Sequence, residues 1–497
     1  MDVELDHTLA EIRRDRPLRV ALYGPSSSVA RVVTWVFVFA SACHLWLADV
    51  WQLEWLPANL IYLAGVALLC WRGAALGWLL SALGLLIPLL FHRDQLTQSV
   101  ILLVISSSAG LGLIADGLRA SRPGSSPADP LETSQGTMAA GEWTFLGVAK
   151  GVTIVTYFLA VLHKINREYL DPDYSCAVYG TEELFNYWGL PIDALPASVL
   201  ALTPWLVVAA ESGIALLHML GRRRLAWLLA VGFHIPLTLT MAPAFVFVMF
   251  VGHAAFMRPA DLERLSGVFR RHWVAIGAAA TLLTTVSLVA HKNLPEWTMI
   301  PREWLLWGLL MALLVPDHLG LDTRAGKAGH RLSRAPLAAK AAVAVAVGFF
   351  LLNGLTPYLG VQFQHAGAMV SNLRIDQGCW NSLVFPESVR LSDDYVRIEE
   401  VYYGEPGQTP KYEAIALDQL WSPPQIRQMR RNWCKPHLRP FYMRGTFRGR
   451  EFVIDDVCDT DKPLPFSDDG IFGVEIFKDY LRFQKNLERE CPQACIH

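Results

Sequence analysis

Charge is scarce in this sequence. Asp, Glu, Lys and Arg make up 18% of its 497 residues, against about 25% in a soluble domain. An ordinary soluble globule is therefore a poor description of it. Neither sign dominates: the formal net charge is −2, which argues against a nucleic-acid partner, since such binding rests on a local excess of Lys and Arg. Familiar catalytic signatures are missing as well. There is no nucleophile elbow, phosphate-binding loop or zinc-protease motif, which argues against the common hydrolases and nucleotide-driven pumps. No cleavable signal peptide is visible. Residues 1–28 are polar, with Arg13, Arg14, Arg16 and Arg19, and the first apolar run is long enough to stay as a signal anchor. No internal repeat is evident.

Apolar residues take the place of charge. They make up 53% of the chain, the mean hydropathy is +0.30, and many of the 17 Trp lie close to the ends of apolar runs, as in an interfacial aromatic belt. The runs fall near 29–50, 58–71, 74–91, 98–115, 144–162, 199–220, 225–241, 243–257, 273–291, 303–315 and 338–357. A span needs roughly 20 residues. The block 225–257 is too long for one span at about 1.5 Å per residue and reads as two helices broken at Pro243. The expected fold is an all-α polytopic membrane bundle of about 11 transmembrane helices, followed by a small extracytoplasmic α+β domain.

Positive charge orients the bundle. With residues 1–28 as a cytoplasmic segment, the cytoplasmic side receives Arg119, Arg122, Arg222–Arg224, Arg258, Arg264, Arg270, Arg271, Arg324, Lys327, Arg331, Arg334 and Lys340. The opposite side holds only Arg93, Lys164, Arg167, Lys292 and Arg302. An odd number of spans results, so the C-terminal region lies outside the cytoplasm, and a bacterial inner membrane suits this arrangement. Cysteine use agrees. Cys43 and Cys70 lie in apolar runs, whereas Cys176 and the tail residues Cys379, Cys434, Cys458, Cys491 and Cys495 form an even set of six on the oxidising side. The pairs expected are Cys434–Cys458, Cys491–Cys495 and Cys176–Cys379. No metal is expected, because Cys491 and Cys495 have no second pair at zinc-finger spacing.

Three segments divide the chain: 1–28, a transmembrane region 29–360, and a tail 361–497. Within the second, 121–142 is rich in Ser, Pro, Gly and Ala and reads as a flexible cytoplasmic linker. Residues 164–198 read as a folded outer cap. In the tail, residues 396–401 and 452–454 alternate as strands do. Residues 441–447 and 451–457 read as a hairpin turning at Arg448-Gly449-Arg450. Ser422-Pro423 reads as a helix start, and 472–490 as a helix.

Residues 157–170 (YFLAVLHKINREYL) hold the strongest chemical signal. Lysine costs roughly 2.5–3.5 kcal/mol at a helix centre in lipid. Lys164, at the end of an apolar helix, therefore either snorkels to water or turns inward, where its neutral amine would serve as a base. His163 cannot share its face, since adjacent helical residues point about 100° apart, and it would face headgroups. Glu211 lies inside an apolar run, as a functional carboxylate or as a hydrogen-bonded helix contact. His234 sits two residues before Pro236, as a core histidine or a site group. His92, at an outer helix end, is an interfacial turn residue or faces the same compartment as Lys164. Asn166 completes the set of pocket candidates.

The 157–169 motif, the following outer loop, Glu211 and the Phe233-His234 helix together resemble the horizontally transferred transmembrane (HTTM) domain family, which includes the vitamin K-dependent gamma-carboxylases. Residues 369–374 (MVSNLR) are similar to a stretch after the last span of bacterial members. The resemblance covers roughly residues 30–390. It implies lyase chemistry: a reduced quinone and oxygen generate a strong base, Lys164 deprotonates the quinol, and His234 and His92 assist. Carboxylation of a protein or peptide substrate on the outer side is one outcome, and quinone epoxidation without carboxylation is the other. Animal carboxylases carry a lysine pair where this chain has His163-Lys164, and a much larger lumenal region. The alternative is a non-enzymatic assembly or immunity-type protein that binds lipid or peptide in the same cavity. Clustering of Lys164, Glu211, His234 and His92 around one pocket would favour chemistry. Lys164→Met is expected to abolish epoxidation and leave the fold intact.

Overall fold

A computed structural model describes residues 28–47, 56–72, 75–91, 97–120, 131–133, 136–187, 190–240, 243–258, scattered positions from 267 to 281, 335–360, 366–368, 370–391, 395–407, 409–434, 440–466, 487–493 and 495. Helices form where the apolar runs lie. They are α1 Ser28–Leu47, α2 Leu56–Arg72, α3 Ala75–Phe91, α4 Thr97–Ala120, α5 Ala140–Lys164, α8 Ala197–Met219, α9 Arg223–Thr240, α10 Pro243–Ala255 and α11 Leu337–Leu355, with the short α6 Arg167–Leu170 and α7 Cys176–Tyr187 between α5 and α8. Of the runs at 273–291 and 303–315, all but a few helical positions up to 281 lie outside the described residues. Gln98–Arg119, Ala140–Lys164, Ala197–Met219 and Leu337–Leu359 are long and apolar enough to cross a membrane, and α1, α2, α3 and α10 contain shorter apolar helices. The break before Pro243 falls where the length argument places it.

α5 is the central helix, packing on α4, α8, α10 and α11. Gly354 lets α11 approach α5 closely, because a Cβ there would collide with Leu159. Of the segment 121–142, residues 131–133 and 136–142 are described. Its described part is a hairpin, β1 Leu131–Thr133 with β2 Gly136–Met138, and α5 begins at Ala140. A three-residue strand pair needs little side-chain hydrophobicity, so composition alone does not show it.

After α11 the chain stays with the bundle. Ala368, Leu373 and Ile375 join the helical core, and Trp380, Phe385 and Val389 pack on it. The sheet follows: β3 Val396–Tyr403, β4 Gln419–Trp421, β5 Phe441–Phe447, β6 Arg450–Ile454 and β7 Leu487–Glu488, in the order β6-β5-β3-β4-β7 with every pairing antiparallel. Two helices join it, α12 Pro410–Asp418 and α13 Pro423–Trp433. A bulge between Ile398 and Glu400 resets the alternation of β3, so that Val396, Ile398, Val401 and Tyr403 all face the core. The hairpin turns at Arg448-Gly449 as read from the sequence, and Gln425 Oε1 accepts from the Ser422 N–H at 2.8 Å at the start of α13. The helix expected over 472–490 is wrong at its described end, where Leu487–Glu488 is a strand on β4; the remainder to 486 lies outside the described residues. Charge toward a segment's end suits a helix, but the open edge of β4 offers these residues a ladder instead.

Three disulfides are present: Cys434–Cys458, Cys176–Cys495 and Cys379–Cys491. The first is the pair expected. The other two overturn Cys491–Cys495 and Cys176–Cys379. The cause is the clamp on the end of β7. Arg374 donates to the carbonyl oxygens of Glu488 and Glu490 at 2.8 and 2.6 Å. It thereby delivers Cys491 and Cys495 to separate partners, with Cα separations of 5.8 and 4.8 Å, inside the bonding range.

Candidate functional site

Lys164 turns inward. Its Nζ donates to Glu211 Oε1 at 2.9 Å, and both side chains are 7% exposed. α5 and α8 run antiparallel here, so the last turn of one meets the middle of the other. A lysine at a helix C-terminus also meets the negative end of the helix dipole. The Tyr169 ring centroid lies 5.9 Å from the amine. Glu211 Oε2 is buried and has no hydrogen-bond partner among the described residues.

The pair sits in the wall of a cavity of about 470 Å³ between α5, α7, α8 and α9. Thr156, Ala160 and Lys164 present one helical stripe to it, and Val207, Ala210 and Glu211 another. Phe233 and Leu237 of α9, with Phe245 of α10, close a third side. Leu206 lines the cavity and is also 60% exposed on the outside of the bundle, so the space reaches the apolar outer surface. The lining is mostly apolar; besides the ion pair it includes the hydroxyl side chains of Thr156, Tyr169, Thr181 and Thr203.

The roof is polar backbone held by buried amides. Asn166 caps α6 by accepting from the Tyr169 N–H at 2.8 Å, and its Nδ2 donates to His163 O and Ser371 O at 2.7 and 2.6 Å. Asn372 Oδ1 accepts from the Cys176 N–H and its Nδ2 donates to Tyr174 O, both at 2.8 Å. Asn381 Nδ2 donates to Asn372 O at 2.7 Å, and Arg374 pairs with Asp376 at 3.0 and 2.9 Å. Val370, which lines the cavity, has φ +53°, a strained conformation for a β-branched residue. On the short α6, burial pushes the Glu168 carboxyl up to about 7, against the pull of the Arg374 guanidinium.

The residues singled out from sequence divide into groups. Lys164 and Glu211 meet in the cavity wall. His234 lies one layer behind it, with its ring 5.2 Å from Phe233 and 6.3 Å from Phe245, and its Nε2 is 2.7 Å from the Tyr157 hydroxyl. His163 does not face headgroups: it is fully buried against α11, with Nε2 donating to Gly354 O at 3.0 Å. The end of α5 is covered by α11, so the helix face opposite Lys164 meets protein. His163 and Asn166 hold the roof and are not among the cavity-lining residues. His92 lies outside the described residues. Sequence reading missed Asn381, His218 and His253, and met Asn372 and Arg374 only within the 369–374 stretch of the resemblance, without a role. His218 and His253 carried a signal, as histidines in apolar helices. Among the described residues no cluster of three or more His, Cys, Asp or Glu is placed to hold a metal ion. No family model matches this chain, and no curated protein or solved structure does either.

Proposed function

We propose that the cavity is the site of quinone-dependent base chemistry in a polytopic membrane protein of the HTTM type, with eleven spans, a cytoplasmic N-terminus and an external tail. The observation that carries this reading is the Lys164–Glu211 pair, buried in the wall of a mostly apolar cavity. Membrane helices avoid such groups unless they are used, because each charge there is costly. The cavity suits a reduced quinone. Its apolar walls accept a ring and prenyl tail, Leu206 marks a side from which a lipid-soluble molecule can enter, and Glu211 Oε2 is an acceptor awaiting a hydroxyl. When bound, a reduced quinone supplies, with oxygen, the strong base for carboxylation or is left as the epoxide.

The chain's own residues do the rest. For the pair to act as a base, the proton between them must sit on Glu211. In the neutral arrangement Lys164 offers an amine lone pair to a quinol hydroxyl, and Glu211 holds the proton. The roof, tied down by Asn166, Asn372 and Cys176–Cys495, excludes water from that exchange. Binding of a lipid or peptide without chemistry would use the same apolar walls but has no need of the ion pair.

The test is incubation of the purified protein with a reduced quinone and oxygen, with epoxide followed by chromatography. Epoxide should form, and should vanish in Lys164→Arg, whose guanidinium stays protonated at pH 7. Undiminished epoxide in Lys164→Arg would show that no neutral amine is used. No epoxide from wild type with any quinone would leave the lipid-binding alternative.

A further inference from the structure

Four buried side chains from four helices hydrogen-bond end to end on the inner side of the cavity. His218 Nε2 of α8 lies 2.8 Å from His253 Nδ1 of α10. His253 Nε2 lies 2.8 Å from the Tyr157 hydroxyl of α5, and that hydroxyl lies 2.7 Å from His234 Nε2 of α9. None is more than 4% exposed. From Tyr157 to His218 the chain crosses the bundle, one layer below the Lys164–Glu211 pair. Tyr157 precedes Lys164 by seven residues on α5, and His218 follows Glu211 by seven on the antiparallel α8. Both offsets, roughly 10 Å at 1.5 Å per residue, point away from the roof and toward the Arg222–Arg224 loop.

The ends of the chain have different surroundings. His218 lies two residues before Leu220, which is 63% exposed. Its ring stacks on Phe256 at 3.9 Å, the Arg223 guanidinium donates to Phe256 O at 3.4 Å, and the Lys150 amine lies 5.9 Å from the Phe256 ring. At the other end, His234 backs onto Phe233 and Phe245 in the cavity wall. Glu211 and Lys164 are the charged groups of the cavity itself.

The hydrogen count is the telling feature. A neutral imidazole has one N–H and one bare nitrogen, and a phenol has one O–H. Three links holding one hydrogen each then have two consistent settings. In the first, His218 Nε2–H donates to His253 Nδ1, His253 Nε2–H to the Tyr157 oxygen, and the Tyr157 O–H to His234 Nε2. In the second, every donor and acceptor is exchanged. His218 Nδ1 is buried and has no hydrogen-bond partner among the described residues, so water must reach it as the proton donor; one hydrogen moved across each link, and a proton passed from His234 Nδ1 to water on the cavity side, then convert the first setting into the second. The reverse sequence carries a proton the other way. No electron moves, and all four groups are neutral before and after. An amide or backbone carbonyl at either interior position would fix the direction and stop the transfer. Satisfying buried polar groups does not require reversibility at every link.

We propose that His218, His253, Tyr157 and His234 form a proton relay between the Arg-bearing end of the bundle and the cavity wall. It rests on the reading of Lys164 as a base: a base that accepts a proton in each cycle must lose it before the next. The four are relay residues and touch no substrate.

Full-length protein in lipid nanodiscs, labelled with 15N-histidine, tests the relay without any substrate. His218, His253 and His234 should exchange between their two N–H tautomers at one common rate, slower in D2O. In Tyr157→Phe, His234 should be uncoupled from the other two. One fixed tautomer at each position in wild type, or unchanged coupling in Tyr157→Phe, would overturn the relay. With reduced quinone and oxygen, Tyr157→Phe and His218→Gln should keep the first turnover and lose about 100-fold in sustained turnover. His218→Gln, near the surface end, serves if Tyr157→Phe does not fold. Wild-type turnover in both variants, with Lys164→Arg inactive, would overturn the relay and leave the base chemistry standing. Common-rate exchange in a protein that forms no epoxide would do the opposite.

Discussion

Removing one member of the Lys164–Glu211 pair should cost far more than removing both. At 2.9 Å the attraction is about 6 kcal/mol at an effective dielectric constant near 20, and both side chains are 7% exposed, so little of it is screened. Lys164→Met leaves Glu211 in an apolar wall, and Glu211→Leu strands the ammonium. Each single variant should lose about 3–5 kcal/mol, while Lys164→Met/Glu211→Leu should lie within about 1–2 kcal/mol of wild type, because a buried pair replaced by apolar groups of similar volume is often neutral. Denaturant unfolding in detergent, followed by Trp fluorescence, gives the double-mutant cycle and the coupling energy directly. Single costs below about 1 kcal/mol, or costs that simply add in the double variant, would show a solvated, independent pair and remove the dry cavity from the argument. If the single costs are that large, Lys164→Met lowers stability as well as epoxidation, and the double variant is the control expected to fold without the base.

The remaining predictions concern the junction and the orientation. Non-reducing peptide mapping should recover Cys176–Cys495, Cys379–Cys491 and Cys434–Cys458; a Cys491–Cys495 peptide in the native protein would refute the Arg374 clamp. Glu168, held up to about 7 by burial, binds its proton more tightly in the folded state. Its contribution is full below the unfolded carboxylate pKa of about 4.3 and is lost as pH rises through about 7. Glu168→Gln should therefore raise the unfolding temperature at pH 8 more than at pH 5, and equal shifts at both would show that the carboxyl is not buried. A reporter fused after His497 should be active only outside the cytoplasm, and cytoplasmic activity would overturn the odd span count.

Periodicity and hydropathy made the helices legible, because lipid-facing and core-facing positions are apolar alike and the runs stand out whatever their partners. The break at Pro243 and the turn at Arg448-Gly449 were legible for a similar reason: proline and glycine constrain the backbone locally. Lys164 and Glu211 were visible as individual charges in apolar surroundings. That they face each other was not, since a contact 47 residues apart in sequence depends on how α5 and α8 rotate about their axes. Asn381 gave no signal, and the 369–374 resemblance gave no hint that Asn372 and Arg374 are buried. Polar residues after the last helix look like a solvated loop until packing shows them buried. The disulfides failed on the same point. Cys491 and Cys495 are close in sequence, and only the Arg374 clamp sends them to different partners.

The missed amides and disulfides fall on one object, the cavity roof, and this has a physical reason. A helix bundle can close an apolar space on its sides with side chains alone. It cannot close the end, where helix termini leave backbone donors and acceptors unmet. Here the end of α5 is met by Asn166 and its partner Ser371 O, and the start of α7 by Asn372 Oδ1. Residues 370–372 come from the far side of α11 and are held at positive φ at Val370 and Asn372. The segment 366–391 and the C-terminus are then fixed by Cys379–Cys491, and the start of α7 by Cys176–Cys495. Cys176 and Val370 themselves line the cavity. The C-terminal domain is thus tied to the cavity by covalent and hydrogen bonds, and the roof over the Lys164 site depends on residues some 200 to 330 positions away in the chain.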